Sequence, residues 1–168
     1  MQALKEFAHP ATALKQPIDL NHAIANTLMV ARNEWRLIAE VETDLAADLP
    51  PVPCLPGEIG QVFLNLIINA AQAIADAVGT SGALGRLRVT TRLEDGWAVV
   101  RISDSGPGIP PAIRERIFDP FFTTKPVGKG TGQGLYLARE AVVGKHGGSI
   151  AFDCPPGQGT TFVVRLPL

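Results

Sequence analysis

Apolar residues recur at three- and four-residue spacing after Asp19. Leu20, Ala23, Ile24, Thr27, Leu28 and Ala31 line one face, which predicts an amphipathic helix capped by Asp19. Between 35 and 45 the pattern changes to alternation. Trp35, Leu37, Ala39 and Val41 set against Arg36, Glu40 and Glu42 predict a half-buried strand. Pro50, Pro51, Pro53 and Pro56 then predict an extended loop. A second helical period, predicted over 58–77, carries Ile59, Val62, Phe63, Leu66, Ile67, Ala70 and Ile74, with Leu64 and Ile68 widening the face. Glycines between 79 and 85 end it. Strands are predicted near 86–93 and 97–103, joined by a turn at Glu94-Asp95-Gly96. A Gly/Pro-rich stretch over 104–134 contains one short helical piece at 112–117. A helix over 134–145 stops at Gly147-Gly148, and strands near 149–153 and 160–166 flank Pro155-Pro156-Gly157. This order implies an α/β sandwich with helices on one face of a mixed sheet.

Upstream, Leu4, Phe7, Ala8 and Ala11 also sit at helical spacing, interrupted by Pro10 and Pro17. Residues 1–16 therefore read as the end of a preceding helix and a linker, and 17–168 as one domain. A net charge of −1 gives no basic surface for nucleic acid. Cys54 and Cys154 stand alone, far from any histidine-rich cluster, and read as reduced core or loop residues of a cytosolic protein. Apolar runs are broken before the roughly 20 residues of a membrane span. The N-terminus, with Lys5, Glu6 and His9, does not read as a signal peptide.

Chemistry can sit in three places. In the 58–77 helix, Asn65, Asn69 and Gln72 fall nearly above one another, with Glu58 in line. They are either buried amides satisfied by backbone, or a cleft wall offering oxygen to a hydrated Mg2+ beside phosphates. Next, Asp104 ends a strand that runs into Ser105-Gly106-Pro107-Gly108-Ile109. An ionised carboxylate only accepts hydrogen bonds, so it suits the exocyclic amine of adenine and repels the carbonyl of guanine; a plain turn is the alternative. Third, Gly128-Lys129-Gly130-Thr131-Gly132-Gln133-Gly134-Leu135 runs directly into a helix, whose free amides and dipole suit phosphate; a flexible linker is the alternative. It is neither a P-loop nor a Rossmann turn, because both glycine spacings fail.

The set, in this order, resembles the catalytic ATP-binding domain of bacterial sensor histidine kinases, within the Bergerat fold shared with gyrase, mismatch-repair ATPases and heat-shock chaperones. Gln61-Val62-Phe63-Leu64-Asn65-Leu66-Ile67-Ile68-Asn69-Ala70-Ala71-Gln72-Ala73 is similar to the N box. Asp104-Ser105-Gly106-Pro107-Gly108-Ile109 is similar to the first glycine box, and Gly130-Thr131-Gly132-Gln133-Gly134-Leu135 to the second. Phe118-Asp119-Pro120-Phe121-Phe122-Thr123-Thr124-Lys125 resembles the F box of the ATP lid, and Gly157-Gln158-Gly159-Thr160-Thr161-Phe162 the closing strand.

The resemblance implies a two-layer α/β sandwich with a mixed, mostly antiparallel sheet, about three helices on one face and a mobile ATP lid. It implies ATP and Mg2+ as ligands. Asn69 would hold the metal, supported by Asn65, and Asp104 would read the adenine amine. Gly106, Gly108 and Ile109 would admit the base, with Thr160 helping through water. Gly130, Thr131, Gly132, Gln133, Gly134 and Leu135 would wrap the phosphates, with Lys125 and Lys129 as phosphate partners. Phe121 and Phe122 would anchor the lid or face partner helices. The implied partners are the histidine-bearing dimerisation helices of the same kinase and a response regulator, with no nucleic acid and no membrane contact from this domain. The implied location is cytoplasmic, with a parent kinase that can be membrane-anchored.

Three features depart from the family pattern. Gln133 stands where Leu is common, Gln72 stands where many relatives carry a basic residue, and no phosphoacceptor His motif occurs. His9, His22 and His146 are expected to have ordinary surface roles. Two rival functions remain. One is a conformational ATPase of the gyrase or chaperone type, which uses a Glu base where Asn65 stands here. The other is a degenerate nucleotide-binding module.

Overall fold

The computed structural model describes residues 14–123 and 133–168. The expectations placed on residues 1–13, and on Lys125, Lys129, Gly130, Thr131 and Gly132, lie outside the described residues. Five strands form the main sheet: β2 (Ala39–Leu45), β4 (Gly85–Glu94), β5 (Trp97–Asp104), β7 (Thr160–Pro167) and β6 (Ser149–Asp153), in that spatial order. Only the β2–β4 pair is parallel; the other three are antiparallel. Helices α1 (Leu20–Val30), α3 (Pro56–Val78) and α4 (Gly134–Arg139) form the second layer, and α4 runs on as a π-helical turn over Glu140–Lys145.

Local chemistry accounts for most of these elements. Asp19 caps α1 by accepting from the His22 N–H at 3.1 Å. The β4–β5 hairpin turns on Asp95 and Gly96, both at positive φ, which a two-residue turn of this hand requires. In α3 the apolar face of Ile59, Val62, Phe63, Leu66, Ile67 and Ile74 is buried. Truncating Phe63 to Ala would cost about 3–5 kcal/mol. Contrary to the sequence expectation, α3 is long and apolar enough to cross a membrane by length and composition. Here it packs in the core over the sheet, and its Asn65, Asn69 and Gln72 stripe stays half-buried. Facing it, Ala98, Val100, Ile102 and Asp104 alternate inward on β5, opposite Leu166, Val164, Phe162 and Thr160 of β7. The period of two thus carries the core face straight on to Asp104 and Thr160 at the strand ends.

Three expectations are corrected. The strand expected from residue 35 begins only at Ala39; Arg32–Trp35 is instead a short helix, α2. Trp35 is half-buried because its indole N–H donates to the Leu28 carbonyl at 3.0 Å, satisfying one of the free carbonyls at the end of α1. Leu37, expected on the buried side, is 74% exposed. The proline loop contains a strand, β3 (Val52–Cys54), which pairs antiparallel with β1 (Gln16–Ile18). Pro17 lies opposite Pro53, so these two must occupy the pair position that exchanges no N–H bonds. Finally, His146 is not at the surface but is 1% exposed. Its Nε2 accepts from the Leu55 N–H at 3.0 Å, which leaves the proton on Nδ1 to donate to the Ala141 carbonyl at 2.8 Å. The chain doubles back after Lys145, and the ring bridges the end of the π-turn to the start of α3.

Burial lowers the His146 pKa from its ordinary value of 6.5; the bond to Ala141 opposes this. A depressed folded value means that the unfolded chain takes up the proton first. Stability is then full above about pH 6.5 and falls as the pH drops below it. Urea titrations between pH 8 and 5 should show this fall in the wild type and a flatter curve in His146→Gln. His146→Ala should lose about 2–4 kcal/mol at pH 8, from the cavity and two unpaired backbone groups. Equal slopes in the wild type and His146→Gln would remove the imidazole as the cause.

Candidate functional site

A cavity of about 790 Å3 opens between α3 and the ends of β5 and β7. Asn65, Asn69, Gln72, Asp104, Gly108, Ile109, Gly134, Leu135 and Thr160 all line it, so nine positions singled out in the sequence meet in one place. Gln133 sits at the N-cap of α4, with its carbonyl accepting from Leu137 N–H at 2.8 Å. Gly106 lies under the cavity wall, against α3.

Asp104 is 5% exposed and its orientation is held by backbone. Its Oδ1 accepts from the Gly106 N–H at 2.8 Å and the Thr160 N–H at 3.3 Å, which leaves Oδ2 for the cavity. Desolvation raises its pKa, while these two N–H donors pull it back. Gly159, at φ +75°, makes this arrangement possible, since any side chain there would run into the Asp104 carbonyl. Gly106 has a comparable reason. A Cβ on it would lie 2.7 Å from the Ala73 Cβ and 2.9 Å from the Ala73 carbonyl oxygen. Glycine at 106 therefore lets helix and strand end meet, a packing role that the sequence reading had not seen.

The two asparagines differ. Asn65 donates from Nδ2 to the Gly134 carbonyl at 3.2 Å and accepts from Gln61 Nε2 at 2.8 Å. Asn69 and Gln72 have no hydrogen-bond partner among the described residues, although both are half-buried at the cavity. Of the alternatives open for the stripe, amides satisfied by backbone describes Asn65 in part and Asn69 not at all.

Six cavity residues were missed. Asp76 extends the polar stripe by seven residues from Asn69, and reading the same period further would have found it. Arg114, Cys154 and the 155–157 turn come from segments distant in sequence, and no local pattern marks them. Phe122 lines the cavity under the Arg116 guanidinium, 4.6 Å from the ring centroid, whereas Phe121 is 70% exposed at φ 64°. Phe118, at the start of the same segment, packs on Phe152 and Phe162 with centroids 6.3 Å away from each.

Residues 55–168 match the family described as histidine kinase-, DNA gyrase B- and HSP90-like ATPase. The chain belongs to that family. This ATPase-family domain is 35% identical over 171 residues to the signal transduction histidine-protein kinase AtoS of Escherichia coli K12, covering all of this chain and 26% of that protein. It is 43% identical over 111 residues to the two-component sensor PprA of Pseudomonas aeruginosa, covering 66% of this chain and 12% of that protein. The chain thus spans about a quarter or less of the length of these relatives. Among solved structures, the catalytic domain of histidine kinase ThkA superposes with a TM-score of 0.76 at 28% identity, covering 92% of this chain and 98% of that one. The mycobacterial sensor histidine kinase MprB gives 0.75 at 30% identity, covering 92% and 97%. The five-stranded mixed sheet with helices on one face, expected from the sequence, is the fold of these catalytic domains.

The contact at Gly106 gives a direct test. Gly106→Ala should destabilise the domain by about 1–3 kcal/mol, because helix backbone cannot yield as a side-chain tip would. Thermal unfolding followed by circular dichroism measures it, and an unchanged midpoint would show that α3 and β5 can separate freely.

Proposed function

We propose that this domain binds Mg·ATP in the cavity and passes the γ-phosphoryl group to a histidine on a separate helical dimerisation domain, from which a response regulator receives it. The observation that carries the reading is the side chain at position 65. Water attack on the γ-phosphate needs a base, and an amide cannot take a proton. Asn65 is also tied on both atoms of its amide, donating to Gly134 and accepting from Gln61. Of the described residues lining the cavity, only Asp76 and Asp104 carry carboxylates. Asp104 lies under the base end. Asp76 lies ~10 Å along the helix axis from Asn69. Transfer to histidine needs no such base. The neutral imidazole nitrogen attacks phosphorus, the bond to the bridging oxygen breaks, and ADP leaves with its electron pair.

Within this reading Asp104 accepts from the adenine amine through Oδ2. Thr160 supports it from the neighbouring strand, Gly108 and Ile109 form the wall beside the base, and the first residues of α4, Gly134 and Leu135, face the phosphate end with Gln133 before them. Lys125, Gly130, Thr131 and Gly132 would complete the phosphate contacts. The residues also suit Mg2+. Asn69 offers one neutral oxygen with no competing partner, which fits an ion that keeps several waters and takes its other oxygens from phosphates. No cluster of three or more His, Cys, Asp or Glu exists among the described residues to cage a metal without nucleotide. Bound Mg2+ would neutralise the phosphate oxygens.

Two kinds of experiment test this. By calorimetry the wild type should prefer ATP to GTP. Asp104→Asn should weaken ATP by at least about tenfold, because the amide brings a donor toward a donor. Asn69→Ala should abolish the Mg2+ dependence of ATP affinity without unfolding the domain. Equal ATP and GTP affinities in the wild type would remove the adenine assignment. The isolated chain should also hydrolyse ATP very slowly and not label itself with γ-labelled ATP. Adding a histidine-bearing helical hairpin from the same kinase should produce an acid-labile, base-stable label. Sustained turnover by the chain alone, lost in Asn69→Ala, would favour a conformational ATPase instead.

A further inference from the structure

We propose that Arg114 is a positioning residue for base selectivity, whose guanidinium holds the turn after β5 and the loop before β7 at a fixed separation around the base-binding end of the cavity. The proposal rests on the reading of that cavity as an adenine-nucleotide site. Arg114 lies in a 3-10 helix, Pro111–Arg116, and is half-buried at the cavity wall. Its Nε donates to the Ile109 carbonyl at 3.0 Å and its Nη2 to the Cys154 carbonyl at 3.4 Å. The Ile109 N–H in turn donates to Cys154 Sγ at 3.0 Å. Both backbone groups of Ile109 are therefore held by side chains, one from the 3-10 helix and one from the loop that follows β6.

The network reaches the base-reading carboxylate. Cys154 Sγ lies 3.6 Å from Thr160 Oγ1, and the Thr160 N–H is one of the two donors that orient Asp104. The two loops lie close together because position 108 is glycine: a Cβ there would stand 2.8 Å from Cys154 Sγ. Arg114, bonded to one carbonyl on each, keeps them from parting. No carboxylate among the described residues pairs with Arg114, so its charge is directed to these two neutral carbonyls, and charge-assisted bonds of this kind are the stronger class. A planar fork spans two acceptors in a way a lysine ammonium on a flexible stem does not. A merely structural arginine would tack down the 3-10 helix and affect all nucleotides alike. A positioning arginine acts on the base.

The test measures Mg·ATP and Mg·GTP affinities for the 168-residue chain by competition against a fluorescent nucleotide. Arg114→Ala should weaken ATP by about tenfold while leaving GTP nearly unchanged, so the ATP-to-GTP preference shrinks by about the same factor. Arg114→Lys should recover only part of it. Should Arg114→Ala fail to fold, the pair Cys154→Ser and Cys154→Ala carries the test. Serine keeps an acceptor for the Ile109 N–H and should keep the preference, and alanine should reduce it. A preference unchanged in Arg114→Ala, a parallel loss for ATP and GTP, or Ser and Ala variants that behave alike would overturn the proposal. A wild type that binds neither ATP nor ADP would instead refute the reading of the cavity.

Discussion

The backbone of Ala73 in α3 lies where a side chain at position 106 would have to go, and the site follows from this close crossing. With only hydrogens on Gly106 between them, the helix meets the end of β5 almost backbone to backbone. That contact brings the Asn65, Asn69 and Gln72 stripe over the strand ends that carry Asp104 and Thr160. The buried face of α3, from Ile59 to Ile74, supplies the apolar burial that holds the helix there, at about 1.5–3 kcal/mol for each large side chain. Because that face secures the helix, Asn69 and Gln72 are free to be polar and half-buried without side-chain partners among the described residues. Core and cleft are two sides of one helix.

The polar groups of the cavity are arranged in tiers. Asp104 is desolvated, which disfavours its charge, yet two backbone N–H groups on one oxygen restrain it and leave the other oxygen open. The carboxylate is thus fixed before any ligand arrives, so little reorganisation accompanies binding. Asn65 serves a different end. Its bond to the Gly134 carbonyl joins α3 to the first residue of α4, on the far side of the segment that resembles the lid. A side chain that resembles a metal-site helper is here also a tie between helices, and the same tie holds the start of α4 against the cavity.

Much of this was legible along the chain because it depends on local periods. Asp19 as a cap, the apolar face of α3, the Asp95-Gly96 hairpin and the alternation of β5 and β7 are each set by residues within a few positions of one another. The position of Asp104 belongs to the same class. It is the next inward residue after Ala98, Val100 and Ile102, so the strand period alone aims it at the helix layer. Alternation misled at Trp35, because an indole N–H reaching back to the Leu28 carbonyl favours a helical turn over an extended strand. His146 misled for a related reason. At a helix end beside two glycines it has the neighbours of a surface residue, and its partners Leu55 and Ala141 come from different parts of the chain.

The amino-acid sequence by itself determined α1, α3 and the strands β4 to β7, which face of each is apolar, and which residue types stand at the strand ends and helix start around the cavity. Side-chain periodicity and turn chemistry act over a few residues, so they can be read without the fold. Only the tertiary structure decided that β1 pairs with β3, that His146 is buried, that Gly106 is glycine because of Ala73, and that Arg114 and Cys154 meet at Ile109. Each of these joins groups brought together from separate segments. Such contacts arise from the packing of elements upon one another, and no periodicity along the chain encodes where two distant loops will touch.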